Sequence, residues 1–322
     1  MHIAIILPRW VGDVVMATPM IQAVRQHFGH NAKLTAVVKP LFQDLLAGTE
    51  WFDHFIAYDR HSKNQEFGFQ RAAAKMSVDR PDIALLVPNS LSSAALVWWG
   101  GCKKRVGYAR HGRRLFLTDP LFPVRSGGRV VPMSTAQHSM DLAEKIGVPR
   151  QPLELKLATL PKDESMLNSL MDSFFEGWPG GQACPLFVFN DNSAFGPAKS
   201  WGTEKFVSLA RELLESYPDG RIIVHCGPGD RDDARVIESS LRDSRVRSLA
   251  DVKQLPFGLS KALLRRASVA ISTDSGPRHI AAAFQTPTVV IHGPMDPRLG
   301  RSDQENLVEI RKELPCSPCG QR

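Results

Sequence analysis

Residues 3–19, IAIILPRWVGDVVMATP, decide how the chain is read. The first five form an unbroken apolar run with the length and composition of a buried strand. Helical spacing follows in VVMATPMIQAVRQHF, residues 14–28, so a strand passes through a short turn into a helix. At the mouth of that helix stand Gly12 and Asp13. Two readings of the acid are open. As a cap, Asp13 accepts hydrogen bonds from free N–H groups and complements the positive end of the macrodipole. As a site residue, it occupies the place where open α/β sheets bind ligands, at the carboxyl end of a strand.

The same alternation extends along the chain. Strand candidates at residues 3–7, 34–38, 55–58 and 83–87 alternate with helical stretches. A second series begins at CPLFVFN (184–190) and continues through RIIVHCG (221–227), VAISTDSG (269–276) and PTVVIHGP (287–294), with a helical EKFVSLARELLESY (204–217) between. Alternating strands and helices imply mostly parallel sheets. The fold class expected is therefore α/β, with two Rossmann-like doubly wound domains facing a central cleft. Periodicity lapses in the Gly- and Pro-rich FFEGWPGGQACP (174–185), which places a linker at about residues 176–184. The domains expected are residues 1–175 and 185–322.

Composition narrows the function. The 322 residues are 43% hydrophobic and 23% charged, enough apolar material for two cores and no sign of disorder. No apolar run approaches the roughly 20 residues needed to cross a bilayer. The N-terminus shows no signal-peptide pattern, and five scattered cysteines fit a reducing compartment, so a cytoplasmic location is expected. A net charge of +7 favours anionic partners, whether nucleic acid, acidic lipid or a phosphorylated substrate. Six basic residues crowd into KKRVGYARHGRR (103–114), a solvated loop or an anion-facing surface. No nucleic-acid-binding signature accompanies them, and no nucleic-acid partner is expected.

The second half carries sharper signals. In ISTDSGPRHIAAAF (271–284) a strand ends, Asp274, Ser275 and Gly276 make the turn, and Pro277 suits a first helical turn. Such a helix start makes an anion site, and His279 lies close by in sequence; helix capping by Asp274 or Ser275 is the plainer alternative. NDNSAFGPAKSWGTEKF (190–206) repeats the theme with Gly196 and one cation, Lys199, a natural diphosphate partner or else a solvated lysine.

Taken in order, WVGD (10–13), LLVPNSLSSAAL (85–96), KRVGYA (104–109), FGPAKSW (195–201) and TDSGPRHIAAA (273–283) resemble the ADP-heptose:lipopolysaccharide heptosyltransferases, glycosyltransferase family 9. The likeness is strongest to the heptosyltransferase II branch. It implies a GT-B fold, an acceptor-binding N-terminal domain, a C-terminal domain holding ADP-heptose, and inverting transfer of heptose to the lipopolysaccharide inner core. It also implies Asp13 as general base and Lys199 as the cation at the leaving diphosphate. Donor contacts would come from Ser193, Lys199, Leu255, Asp274, Ser275, Gly276 and His279, with Asp230 or Asp232 reaching the ribose. Trp10, Asn89, Ser90, Arg105, Arg110 and His138 would meet the anionic Kdo/heptose-lipid A acceptor, with peripheral contact at the cytoplasmic face of the inner membrane. No cofactor is implied, and a divalent cation acts at most as a stimulant.

Other features fit less well. The acidic triplet Asp230 to Asp232 reads as a helix start rather than a metal motif, and Cys316 and Cys319 offer a zinc ion only two of its four ligands. A nucleotide-dependent α/β oxidoreductase should show G-x-G-x-x-G after its first strand, where this chain has the single Gly12. A non-catalytic binder of anionic lipid accounts for the charge but not for the anion-site turns.

Overall fold

The structure, a computed structural model, describes residues 1–181, 183–191, 196–304 and 306–320. It divides into two compact units, Met1–Leu155 with Arg298–Asp303, and Lys156–Pro297 with Gln304–Arg322.

In the first unit, six parallel strands are β1 (His2–Ile6), β2 (Lys33–Val38), β3 (His54–Ala57), β4 (Ile83–Leu86), β5 (Lys104–Tyr108) and β6 (Asp119–Leu121). They stand in the order β3-β2-β1-β4-β5-β6. An antiparallel hairpin, β7 (Arg125–Ser126) and β8 (Arg129–Val130), follows. Helices α1 (Val11–Met16), α2 (Thr18–Phe28), α3 (Phe42–Leu46), α4 (Phe69–Asp79), α5 (Leu91–Trp99) and α6 (Thr135–Glu144) belong to the same unit. Ile3 of β1 sits between Leu34 and Ile83 of the flanking strands, and Ile3 to Ile6 are buried. Burial on both faces is why the opening stretch reads as unbroken apolar sequence. The helical stretch after it is two helices rather than one. Pro19 stands at the start of α2, where its missing N–H does no harm, and the Thr18 hydroxyl donates to the Val15 carbonyl at 2.7 Å.

The second unit repeats the plan. Strands β9 (Leu186–Asn190), β10 (Arg221–Val224), β11 (Val246–Ser248), β12 (Val269–Thr273), β13 (Thr288–Ile291) and β14 (Leu307–Ile310) run parallel in the order β11-β10-β9-β12-β13-β14. With them go α7 (Pro161–Phe174), α8 (Thr203–Ser216), α9 (Arg231–Leu241), α10 (Phe257–Arg266) and α11 (Gly276–Ala283). Both sheets have the doubly wound order with a reversal between the third and fourth strands in space.

The division falls before α7, ahead of the linker expected at residues 176–184. The reason is packing. Fully buried Lys261 of α10 lies 4.0 Å from the Asp163 carboxylate of α7, and Arg265 and Arg266 of α10 both pair with Glu164. At Gly258 of α10 an added Cβ would stand 2.1 Å from Asp163 Oδ1, so only glycine admits α7 this close. The basic stretch 103–114 is also not simply a loop, because its first half is β5 and Arg113 is fully buried. Among the described residues, no helix is long and apolar enough to cross a membrane.

Candidate active site

Reversal of strand order leaves a gap at the carboxyl ends of the two central strands, where loops part to opposite sides. In the first unit these loops follow β1 and β4, and they carry Trp10, Asp13, Asn89 and Ser90. Asp13 is the third residue of α1. The cap position itself belongs to Trp10, which is 42% exposed and makes no side-chain cap bond. Asp13 Oδ1 instead accepts a hydrogen bond from Thr135 Oγ1 at 2.9 Å, which ties the acid to the first residue of α6.

One turn along α6, His138 joins a relay. Arg113 Nη2 donates to Asn89 Oδ1 at 3.0 Å, so the Asn89 amide turns its Nδ2 to His138 Nε2 at 3.3 Å and the imidazole proton sits on Nδ1. His138 stacks on Tyr108 with centroids 4.1 Å apart, and the Tyr108 hydroxyl donates to Asp141. Burial, reinforced by Arg113, lowers the His138 pKa to about 4, so the ring is neutral at neutral pH. Arg113 also donates to the carbonyls of Tyr108 and Pro88. Burial, reinforced by the Arg110 charge, lowers its pKa to about 10. Arg110 and His138 share a pocket of about 260 Å³ with Tyr108, Met133, Pro132 and Val131.

Two expected acceptor residues are otherwise engaged. Arg105 donates from Nε to the Phe116 carbonyl and from Nη1 to the Cys102 carbonyl, both at 2.6 Å, so it braces the 113–118 segment. The Ser90 hydroxyl caps α5 by accepting from the Ser93 N–H at 3.2 Å.

In the second unit the corresponding loops follow β9 and β12. Asp274 lies between two cations, with Lys199 Nζ 2.9 Å from Oδ2 and Arg278 Nε 2.8 Å from Oδ1. Burial alone would raise the Asp274 pKa, but Arg278 and Lys199 hold it well below the carboxylate range. His279 is buried, and burial followed by the Arg278 charge keeps it neutral. Two cations, one carboxylate and a neutral histidine leave the cluster a net single positive charge. Ser275, at the cap position of α11, makes no cap bond, because Asn190 Nδ2 donates to its Oγ at 2.7 Å. Behind Asn190 stand His225 at 3.2 Å and then Ser260 at 2.9 Å, a buried polar line that fixes the turn.

Lys199 rides on a loop closed by Asp191, which accepts from the Trp201 N–H at 2.7 Å, the Gly202 N–H at 3.0 Å and the Ser200 hydroxyl at 2.9 Å. Gly293, after β13, packs so closely that an added Cβ would lie 2.8 Å from the Ala198 carbonyl oxygen. Leu255 is half-buried just before α10. Asp230 and Asp232 stand at the start of α9, as their spacing suggested, and Asp232 pairs with Arg235. Ser193 lies outside the described residues. Burial pushes the Cys226 thiol up to about 11, which argues against a nucleophilic thiolate there. Among the described residues, no group of three His, Cys, Asp or Glu side chains could hold a metal ion.

Sequence reading therefore missed Arg278, Asn190, His225, Asp191 and Arg113. All five stood inside stretches already singled out, but nothing in those stretches marked them, because Arg113, Asn190 and His225 meet partners 24 or more residues away and Asp191 serves the backbone of its own loop.

Comparison with known proteins gives a consistent picture. Residues 71–322 match the family described as glycosyltransferase family 9 (heptosyltransferase). The chain is 24% identical over 318 residues to lipooligosaccharide heptosyltransferase 2 of Haemophilus influenzae, covering 96% of this chain and 89% of that protein. Its structure is similar to a glycosyl transferase family 9 protein from Veillonella parvula, with a TM-score of 0.81, 20% identity, and coverage of 97% and 86% of the two chains. It is also similar to E. coli ADP-heptose lps heptosyltransferase II, with a TM-score of 0.79, 21% identity, and coverage of 99% and 96%. At these identities the structural likeness establishes the GT-B fold.

Proposed function

Because the chain belongs to glycosyltransferase family 9, we propose that it transfers heptose from ADP-L-glycero-D-manno-heptose to the inner core of lipopolysaccharide, with inversion at the anomeric carbon. The first unit receives the Kdo/heptose-lipid A acceptor and the second holds the donor. Asp13 takes the proton from an acceptor hydroxyl as that oxygen attacks the anomeric carbon. The bond from this carbon to the β-phosphate oxygen breaks, and ADP leaves with the electron pair. Lys199, the backbone of Ser275 and Gly276, and the start of α11 receive the negative charge that develops on the diphosphate. Asp274, held ionised by Arg278, accepts hydrogen bonds from heptose hydroxyls, and neutral His279 is close enough in sequence to assist. Leu255 lies against adenine, and Asp230 reaches the ribose in preference to ion-paired Asp232. No metal is required. Acceptor contacts come from Trp10, Asn89, Arg110 and His138, at the cytoplasmic face of the inner membrane.

The observation that carries this reading is the Lys199–Asp274–Arg278 cluster, whose net positive charge stands beside an uncapped helix start at the second switch point. Incubation with ADP-heptose and defined truncated cores, read by mass spectrometry, should add one heptose to an acceptor. ADP at 100 times its dissociation constant should stabilise the fold by about 2.7 kcal/mol. No mass increment with any core, together with no thermal shift by ADP, would refute the assignment.

A further inference from the structure

Within the first unit, α5 ends in Trp98 and Trp99, which are 52% and 66% exposed. Neither stands alone. The Trp99 ring lies 6.3 Å from Phe69, the two tryptophans are 6.4 Å apart, and Trp98 is 5.6 Å from Phe116. Beside Phe116, Leu115 is 90% exposed, and the Arg114 guanidinium lies 5.6 Å above the ring of Phe122, which is 63% exposed. A ridge of large apolar groups thus runs from α4 across the end of α5 into the segment before β6 and just past it. Single exposed apolar residues are ordinary on protein surfaces, whereas contiguous ones mark an interaction site.

Charge coincides with this ridge. Residues 91–130 hold eight Lys and Arg against one acid, Asp119, while the remaining 282 residues hold thirty-two of each sign. The entire net charge of the chain therefore belongs to this stretch. Some of it is already committed, since Arg113 is buried, Arg105 donates to loop carbonyls, and Lys103 and Lys104 pair with Asp82 and Asp119. Arg114, Arg125 and Arg129 are exposed. Amphipathic indole rings settle at the headgroup level of a bilayer, and clustered cations are drawn to its anionic lipids. A bilayer also accommodates the aliphatic side chains of the ridge, Leu115 at 90% and Val124 at 58% exposure, which base stacking would leave unused.

We propose that Trp98, Trp99, Leu115 and Phe122, with the surrounding arginines, dock this protein on the headgroups of an anionic phospholipid bilayer. This deepens the membrane contact included in the proposed function, and it rests on that reading only for what the acceptor is. The test needs neither donor nor acceptor. The full chain is sedimented with vesicles of phosphatidylcholine alone or mixed with phosphatidylglycerol, at low and high salt. Binding is expected only to the mixed vesicles, weakening with salt. Leu115→Glu combined with Phe122→Glu, both at exposed positions, should weaken it at least tenfold with an unchanged melting temperature. If that variant melts lower, quenching of the wild-type tryptophans by lipids brominated in the acyl chain gives a second measurement, and quenching is expected. Equal binding to neutral vesicles, wild-type binding by a stable double variant, or absence of quenching overturns the proposal. So does a concentration-dependent dimer abolished by the same substitutions without vesicle binding, which assigns the ridge to a second copy of the chain.

Discussion

Lys199→Ala and Asp274→Asn should fail in different ways, and the difference follows from the geometry of one cluster. Asp274 sits between Lys199, whose side chain is 13% exposed, and Arg278, which is 4% exposed. Asp274→Asn removes the carboxylate of the trio and takes the negative charge away from buried Arg278. Breaking a buried pair in this way costs about 3 to 5 kcal/mol, a fall in melting temperature of roughly 4 to 8 °C for a chain of 322 residues. Lys199→Ala leaves the Asp274–Arg278 pair intact, so stability should fall less. It does, however, take the cluster from one net positive charge to none and deletes a charged donor. Loss of a charged hydrogen bond costs about 1.5 to 3 kcal/mol, so ADP should bind roughly 10- to 150-fold more weakly. Thermal unfolding and calorimetric titration of ADP, run on both variants, read the two effects separately. Wild-type ADP affinity in Lys199→Ala would show that the cluster only braces the turn and that the diphosphate is held elsewhere.

Three further outcomes are expected. Asp13→Asn keeps an oxygen to accept from Thr135, so its melting temperature and ADP affinity should match the wild type while turnover falls by about 10² to 10⁴; a near wild-type rate would make Asp13 a structural residue. His138 and His225 both have pKa values lowered by burial to about 4. The unfolded chain therefore takes up protons near pH 6.5 that the folded chain refuses until about pH 4, so stability is complete above pH 6.5 and falls as the pH drops toward 4. Each histidine contributes roughly 3 kcal/mol to that fall, and His138→Gln should flatten the curve by about one proton, as checked by melting temperature against pH. Gly293→Ala should push the Lys199 turn outward, since its Cβ would lie 2.8 Å from the Ala198 carbonyl oxygen. Several-fold weaker ADP binding with a cost of about 1 to 3 kcal/mol is expected, and unchanged binding would mean the turn can yield without moving Lys199.

The inner strands were legible because they are covered on both faces. IAII in β1 and LFVFN in β9 are continuous apolar runs that no surface segment would carry. Apart from β3, whose FIA segment was read at 55–58, the strands toward the sheet edges were not, because half of each faces water or the sheet edge. LVEI of β14 is largely exposed, DPL of β6 is half-buried, and KRVGY of β5 has charged residues that suggested a loop. The same limit applied at the site. Asp274 follows β12 directly, and Asp13 and Lys199 lie in the stretches that come after β1 and β9, so strand ends point to them. Arg113 and Arg278 look like ordinary surface cations in sequence, and only tertiary packing buries them. Residues 156–175 were assigned to the first unit because the composition break after them is conspicuous, whereas the Asp163–Lys261 contact that binds them to α10 spans nearly a hundred residues.

The two units share more than strand order. In each, the loop after the strand beside the first strand carries a polar side chain gripped by a buried arginine from later in the same unit. Arg113 holds Asn89 at 3.0 Å in the first, and Arg278 holds Asp274 at 2.8 Å in the second. The gripped residue differs in charge, and that sets the character of each switch point. Beside an amide, the Arg113 charge adds to the burial that keeps the His138 ring neutral. Beside a carboxylate, the Arg278 charge is matched, and the excess positive charge comes from Lys199, which sits on a separate loop. Under the proposed function, the neutral Asn89 and His138 at the first switch point would meet acceptor hydroxyl groups by hydrogen bonding. The second gathers its cation on a loop held by Asp191 and Gly293, so under the proposed function its hold on a diphosphate would depend on that loop as well as on charge.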